Sequence, residues 1–460
     1  MSEVMTARRR PAADERRRPE TEVTRPAEVR QALTSAPDRG VIFRRGSGPL
    51  AGDAARNTGG VALSLAGPLA SGRSIRIDWE SCIARAAGGV PLRTLIAELL
   101  RHGWCPASTP DDLGLTLGGS IASCAFGNGH HASGSLADQV VSFELVDGEG
   151  RLRTCEPTGD TAEHFWATVG GLGLTGAITA ATIRIVPVTS AWLTTESTKC
   201  TDLDAVLATM ASAAGRAGTG SRAASPGSVR PGYLWARLDP TATGSQLGRG
   251  VVTSGRPASV TELPAARQQS ALDFETDQAP GASGSAVQLT SGRWRRFLPQ
   301  RVVRASHDLW FRSTPAHMEG SLLSLAGALT GTGGMAAPVD SRKPDDVIEH
   351  EFAVPDCGHG ALSAALAMCA AEDIPVTRAI VRRLGTRNRA PLGLPGPGWA
   401  LRLRLPATDD TGRVLDAIDE VAANSGGRTH LAMDRRMNPD LLATMYPGVD
   451  EWRQRRSELD

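Results

Sequence analysis

Lysine is almost missing from this chain. Among 50 basic residues only Lys199 and Lys343 are lysines, so any reaction that needs a lysine base has two candidates at most. Neither stands in a G-x-x-x-x-G-K-[ST] context, which excludes a P-loop nucleotidase. The seven cysteines, at 82, 105, 124, 155, 200, 357 and 369, include no C-x-x-C pair. That dispersal argues against a disulfide framework or a zinc knuckle and for reduced thiols in a cytoplasm. No run approaches the ~18 apolar residues of a membrane helix. A net charge of +1 lacks the basic surplus of a nucleic-acid binder. No G-x-G-x-x-G lies between a strand and a helix with an acid about 20 residues on, which argues against a Rossmann NAD site.

What is present fits a globular protein of two or three domains: 460 residues, 41% hydrophobic and 22% charged. Residues 1–26 carry the arginine clusters Arg8–Arg10 and Arg16–Arg18 broken by prolines and acids, and read as a disordered arm, with ordered structure beginning near Val41. The spacing in "PLRTLIAELLRHG" predicts an amphipathic helix burying Leu92, Leu95, Ile96, Leu99 and Leu100, stopped by Gly103. "VVSFELVDGEGRLRT" reads as a hairpin, and the β-branched run from Ile178 to Val186 as a strand after a glycine turn. Beyond 190 come strand–helix units, including "DVIEHEFAVP" and the helices "GALSAALAMCAAEDI" and "GRVLDAIDEVAANSGG". Ala-, Gly-, Ser- and Thr-rich stretches at 212–229 and 279–292 read as long loops. The resulting division is an arm at 1–26, a first domain at 27–190, a second at 191–427 and a segment at 428–460 that returns to the first.

Three glycine-rich turns, at 46–52, 118–134 and 170–176, fall within the first domain beside expected strands. Glycine lets successive backbone N–H groups close on phosphate oxygens, so three such turns in one domain point to a large anionic ligand, of which dinucleotide cofactors are the commonest.

Here the residues carry a resemblance. "RRGSGPLAGDAARNTGG" resembles the first FAD loop, R-G-x-G-x-x-x-G-D-x-A-x-N-x-G-G, of the vanillyl-alcohol-oxidase-type flavoproteins with a PCMH-type FAD domain. With "TLGGSIASCAFGNGHHASGS", "EPTGDTAEHFWATVGGLGLTG", "LGTRNRAPLGLPGPGW" and "MYPGVDEW" in family order, the chain is similar to the decaprenylphosphoryl-β-D-ribose 2-oxidase branch. The resemblance implies an α+β fold, with a two-lobed PCMH-type FAD-binding domain and an α+β substrate domain built on an antiparallel sheet. It implies FAD held by Arg45, Gly46, Gly48, Gly52 and Asp53 at the pyrophosphate, and by Thr116, Gly118, Gly119 and Ile178 along the dinucleotide. Ser47, Leu117 and Ser123 join them through loop backbone. No histidine or cysteine stands in the first loop, where Ser47, Pro49 and Leu50 are found, so the flavin is expected to be noncovalent. His130 and His131, the family's histidine pair, are expected to brace the loop, and no third metal ligand is evident.

The departures from that family gather near the ring and the substrate. Met433 stands where the family's "GGR-x-x-x-A-K-D-x-R" has lysine, Arg402 where it has cysteine, Phe126 where it has histidine, and Ala51 where it has tyrosine. Asp111 replaces a glycine, and Arg382 a pocket lysine. A thioether takes no proton at neutral pH, which leaves His430 as a weak catalytic candidate and Arg382 and Arg402 as weak substrate-binding ones, each arginine more readily read as a solvated or salt-bridged surface residue. Glu349 and Glu351 alternate with His350 and share one strand face, which is either part of a pocket or an ordinary exposed face, the latter being the preferred reading. Two functions stay open: an FAD-dependent oxidoreductase acting on a hydroxyl of a sugar-like or polyol substrate, or a catalytically degenerate relative acting as a scaffold. The family implies a lipid-linked sugar substrate met at the inner membrane surface and a reductase partner; the altered pocket leaves both open.

Overall fold

The computed structural model describes residues 20–35, 41–43, 61–218, 232–274, 300–330, 347–386, 389–433 and 436–459. It begins with β1 (Glu20–Val23), α1 (Pro26–Thr34), β2 (Val41–Phe43) and β3 (Val61–Leu65), and the three strands form a parallel sheet in the order β1-β3-β2. Order therefore starts well before Val41, and the arm expected over 1–26 gives way to a strand at Glu20. The strand "ETEV" is polar by sequence and is defined by pairing, with Val23 opposite Leu65 on β3. Val23, Val29 and Leu63 close a small core beneath it.

The second lobe contains β4 (Arg76–Asp78), β5 (Ile83–Ala87), α2 (Leu92–Arg101), β6 (Trp104–Pro106), α3 (Leu117–Ala122), α4 (His130–Ser133), β7 (Val140–Val146), β8 (Leu152–Cys155), α5 (Ala162–Thr168) and β9 (Ala177–Pro187). Its sheet runs β4-β5-β9-β7-β8, with β6 on β9, and every pair is antiparallel. Helix α2 buries the five apolar residues that its spacing predicts, and β7 and β8 form the expected hairpin.

The rest of the chain supplies β10 (Trp192–Cys200), α6 (Leu203–Gly218), β11 (Tyr233–Leu238), β12 (Gly250–Pro257), α7 (Ala265–Gln268), α8 (Gln300–Ser313), β13 (His317–Ser324), α9 (Leu325–Thr330), β14 (Val347–Pro355), α10 (Gly360–Ala371), β15 (Arg378–Leu384), β16 (Gly398–Pro406), α11 (Asp409–Asn424), β17 (Arg428–Thr429), α12 (Pro439–Met445) and α13 (Val449–Ser457). Eight strands make an antiparallel sheet in the order β13-β10-β12-β11-β15-β16-β14-β17. Residues 212–218, expected as loop, continue α6; alanine is a strong helix former and carries the helix through. Residues 219–231 and 279–292 lie outside the described residues.

Strand alternation gives the large sheet two faces. Phe352, Val354, Leu401, Leu403, Val381 and Leu234 point one way, into a core roofed by α6, α10 and α11. Tyr233, Trp235 and Ile380 point the other way and share a core with the second lobe. That second face is the seam between the two halves of the molecule. The chain end also reaches across: the Trp452 indole donates to the Ala167 carbonyl at 2.8 Å, and Gly148 N–H donates to the Leu459 carbonyl at 2.8 Å.

Candidate active site at the seam

The expected pyrophosphate residues Arg45, Gly46, Ser47, Gly48, Gly52 and Asp53 lie outside the described residues. The second glycine stretch is described, and its first turn is fully bonded within the protein. Leu117 N–H donates to the Val90 carbonyl at 2.9 Å, Gly118 N–H to Gly88 at 2.7 Å, and Gly119 N–H to the Thr116 hydroxyl at 3.1 Å. Gly118 is needed for packing, since a Cβ there would meet the Ile178 carbonyl at 3.0 Å and that of Gly88 at 3.1 Å. These residues therefore offer a ligand a closely packed wall of helix on sheet, and their amides are committed. The Ser123 hydroxyl likewise bonds back to Gly119 at 2.7 Å, while its carbonyl faces the seam.

The loops on either side of α3 carry the charged residues forward. Segment 109–112 stacks on Gly127 so closely that a Cβ at 127 would meet the Thr109 carbonyl at 2.4 Å. Glycine is what allows that approach. Asn128, next along, accepts from Arg382 Nε at 3.0 Å, donates to the Ala328 carbonyl at 2.8 Å, and takes Leu234 N–H on its own carbonyl at 2.8 Å. One short loop is thereby bonded to three elements of the large sheet and its flank.

Opposite stands a grid fixed by register. Glu351 on β14 faces Arg402 on β16, which faces Ile380 on β15; one step along, Glu349 faces Arg404, which faces Arg378. Arg382 lies on the same face. Glu351 receives Arg382 Nη1 at 2.6 Å, Arg402 Nε and Nη2 each at 3.2 Å, and His430 Nδ1 at 3.0 Å. Asp111, from the first domain, pairs with Arg382 and accepts from Arg402 Nη1 at 2.7 Å. Glu349 takes Arg378 at 2.6 Å and Arg404 at 3.1 Å. These four guanidiniums and three carboxylates thus form one buried network.

Burial decides the character of this network. Glu351 is 0% exposed, Arg382 1% and Arg402 6%, so the surface reading of the two arginines is corrected, as is the exposed reading of the glutamate pair. Burial alone would raise the Glu351 carboxyl, but Arg402, the His430 hydrogen bond and Arg382 hold it well below the usual range. Burial pulls Arg382 down, against Asp111 and Glu351. In Arg402 the surrounding carboxylates outweigh burial and raise the guanidinium further. The aspartate that would repel a pyrophosphate is instead turned to two arginines.

His430 sits at the centre, with Nε2 3.1 Å from the Ser123 carbonyl and Nδ1 on Glu351. Both ring nitrogens lie within hydrogen-bond distance of protein oxygens, so neither is left open to a substrate. Phe126 fills the space beside it, 5.7 Å from the His430 ring, 5.4 Å from His130 and 5.8 Å from the Arg382 guanidinium. His130 does brace a loop, accepting Gly385 N–H on Nδ1 at 3.0 Å; its burial lowers it to about 4, which keeps it a neutral acceptor. Met433 is buried close by, its N–H on the His430 carbonyl.

Sequence reasoning passed over Asp112. Its Oδ1 accepts Gly114 N–H at 2.8 Å, while Oδ2 is buried without a partner among the described residues. Burial, then the charge of Asp111, raises this carboxyl above the ordinary aspartate value. Only the second acid of "PDDLG" marks it in sequence, and nothing there separates it from its neighbour.

A family model described as an FAD binding domain matches residues 21–156. The chain is 33% identical over 379 residues to a Streptomyces coelicolor protein named "Uncharacterized protein in mprA 5'region", covering 81% of this chain and 96% of that one. It is 28% identical over 440 residues to decaprenylphosphoryl-beta-D-ribose oxidase of Mycolicibacterium smegmatis, covering 95% of this chain and 90% of that one. A shorter match, 36% over 110 residues, is to cytokinin dehydrogenase 3 of Oryza sativa subsp. japonica, 24% of this chain and 21% of that one.

Proposed function

The chain belongs to the FAD-dependent oxidoreductases built on this FAD-binding domain, and from that premise we propose that it oxidises a hydroxyl of a sugar-like or polyol substrate, with noncovalent FAD and a centre rebuilt relative to the decaprenylphosphoryl-ribose oxidases. The observation that carries this reading is the seam itself. The cofactor domain and the large sheet meet over a buried, charged surface in which Asp111 and Ser123 from one side engage Arg382, Arg402 and His430 from the other.

The residues present fit a flavin. Asp112 Oδ2 is a buried polar atom with no partner among the described residues, and such atoms are rare unless something else satisfies them. When bound, FAD supplies the hydride acceptor, and the protein supplies pose and proton traffic. Glu351, anchored by two arginines, holds the His430 ring in place. The buried guanidiniums of Arg382 and Arg402 favour anionic character at the seam. Asp112, with a free oxygen and a raised pKa, is suited to take the hydroxyl proton that Met433 cannot.

The test begins with the visible spectrum of the purified protein before and after acid precipitation. Flavin bands that move to the supernatant, followed by anaerobic bleaching with one member of a polyol and sugar-phosphate panel, are the expected result. A colourless protein that also refuses added FAD overturns the reading. The scaffold alternative, which the buried Met433 favours, would then stand.

A further inference from the structure

The acidic loop ahead of α3 sends one carboxylate across the seam. Segment 109–112 is seated on Gly127, and from it Asp111 reaches the sheet face that carries Arg382 and Arg402. A single oxygen, Oδ2, takes both guanidiniums: Arg382 through Nη2, and Arg402 through Nη1 at 2.7 Å. The other nitrogens are engaged as well. Arg382 donates from Nη1 to Glu351 at 2.6 Å and from Nε to Asn128 at 3.0 Å, while Arg402 Nε and Nη2 each donate to Glu351 at 3.2 Å. Every guanidinium nitrogen of the pair thus has an oxygen partner, and the Asp111 side chain is only 9% exposed.

The two carboxylates reach the arginines by different routes. Glu351 stands on the same sheet, opposite Arg402 by strand register. Asp111 comes from the other domain, so it stands where a ligand held between the domains would meet the pair. Two buried guanidiniums closing on one oxygen are what a phosphoryl or carboxylate group of a ligand would receive. To take that place, an anion would have to leave the Asp111 carboxylate inside the seam without its counter-charges. It would also lie beside Asp112 of the same loop and near Glu349, which is 3.9 Å from Arg402 Nη1. An uncharged hydroxyl compound displaces nothing, because neutral hydrogen bonds can hold it while the ion pairs stay whole.

We infer that Asp111 is a specificity-determining residue: its carboxylate fills the anion position between Arg382 and Arg402, so the seam admits an uncharged polyol or sugar and turns away phosphorylated and carboxylated ones. The inference rests on the proposed oxidation of a hydroxyl at the same seam and names the charge class of its substrate.

Calorimetric titration of the full chain, with FAD present, by inorganic phosphate and by formate tests the anion position. Asp111→Ala, which vacates it, is expected to bind at least one of the two at least about tenfold more tightly than the parent protein. Asp111→Asn keeps the shape and removes the charge, and a smaller gain is expected from it. Equal binding of both anions by the parent protein and Asp111→Ala overturns the inference. Should Asp111→Ala fail to fold, Asp111→Asn decides, and its equality with the parent protein then overturns it. The functional reading is inhibition by phosphate of flavin reduction by the alcohol that the panel identifies, expected to be at least about tenfold stronger in Asp111→Ala; equal inhibition overturns the inference. So does a parent protein that is reduced faster by a sugar phosphate than by the same sugar without its phosphate. The two proposals fail separately. Anion binding gained in Asp111→Ala without flavin reduction by any alcohol leaves Asp111 as the internal anion and removes the oxidase reading. Flavin reduction by an uncharged polyol, with anion binding alike in the parent protein and the variants, removes the role of Asp111 and leaves the oxidase reading.

Discussion

The two faces of the large sheet are made by the same strands and obey different physics. On β14, Phe352 and Val354 enter the helix-roofed core while Glu349 and Glu351 enter the seam; on β16, Leu401 and Leu403 alternate with Arg402 and Arg404 in the same way. Apart from the His350–Asp419 pair, the apolar face is held mainly by burial, which is non-directional and tolerates exchange of one aliphatic residue for another. The seam face is held by charges out of water. Their desolvation is offset only while every partner is in place, so its residues are not exchangeable. Stability is concentrated in the first face, and specificity of assembly in the second.

The comparison breaks most sharply at Asp112. Asp112→Asn is expected to lower kcat by about 10²–10⁴-fold while leaving the flavin spectrum and the melting temperature near those of the parent protein. The same residue gives a pH signature. Because burial raises its carboxyl, beside Asp111, Glu349 and Arg402, the carboxylate needed for proton abstraction is lost on acidification sooner than for an ordinary aspartate. An acid limb in kcat above about pH 4 is expected, and it should vanish in Asp112→Asn. A rate that survives this substitution removes Asp112 from the reaction.

Next in size is a matched pair of variants, one on each face. Glu351→Gln leaves Arg382 and Arg402 without their shared buried carboxylate and should cost about 3–5 kcal/mol in urea unfolding, together with loss of flavin reduction. Leu401→Ala on the opposite face should cost about 2–5 kcal/mol with turnover per folded molecule retained. Equal losses of turnover in the two variants would show that the faces are not functionally distinct.

A smaller effect sharpens the same contrast. The folded Glu351 carboxyl lies below its unfolded value, so its contribution is complete above about pH 4.3 and is lost as pH falls below that. Urea midpoints measured from pH 6 down to pH 3 should therefore fall less steeply in Glu351→Gln than in the parent protein. The smallest change expected is at the exposed Arg256–Glu262 pair, 2.6 Å apart, where Arg256→Gln should cost under about 1 kcal/mol.

Much of this molecule can be read locally. The helix of Leu92, Leu95, Ile96, Leu99 and Leu100, the hairpin at 140–155 and the helix of Val414, Leu415 and Ile418 follow from apolar spacing that each segment carries within itself. The strand at Glu20–Val23 does not, because its four residues are mostly polar and its only definition is the backbone pairing with a partner some forty residues on. The run of small residues after 211 misleads in the other direction, since alanine is as much at home in α6 as in a loop.

By itself, then, the amino-acid sequence determined the alternating strands and, through motifs shared with a known family, the cofactor class, because both are carried by contiguous residues. Only the tertiary structure decided that Glu351 is buried rather than exposed, that Asp111 turns to Arg382 and Arg402, that His430 is held by acceptors on both sides, and that one oxygen of Asp112 has no partner among the described residues. Those outcomes depend on strand register and on the meeting of segments hundreds of residues apart, and a charge becomes a structural pair, a catalytic group or a ligand site according to what that register sets beside it.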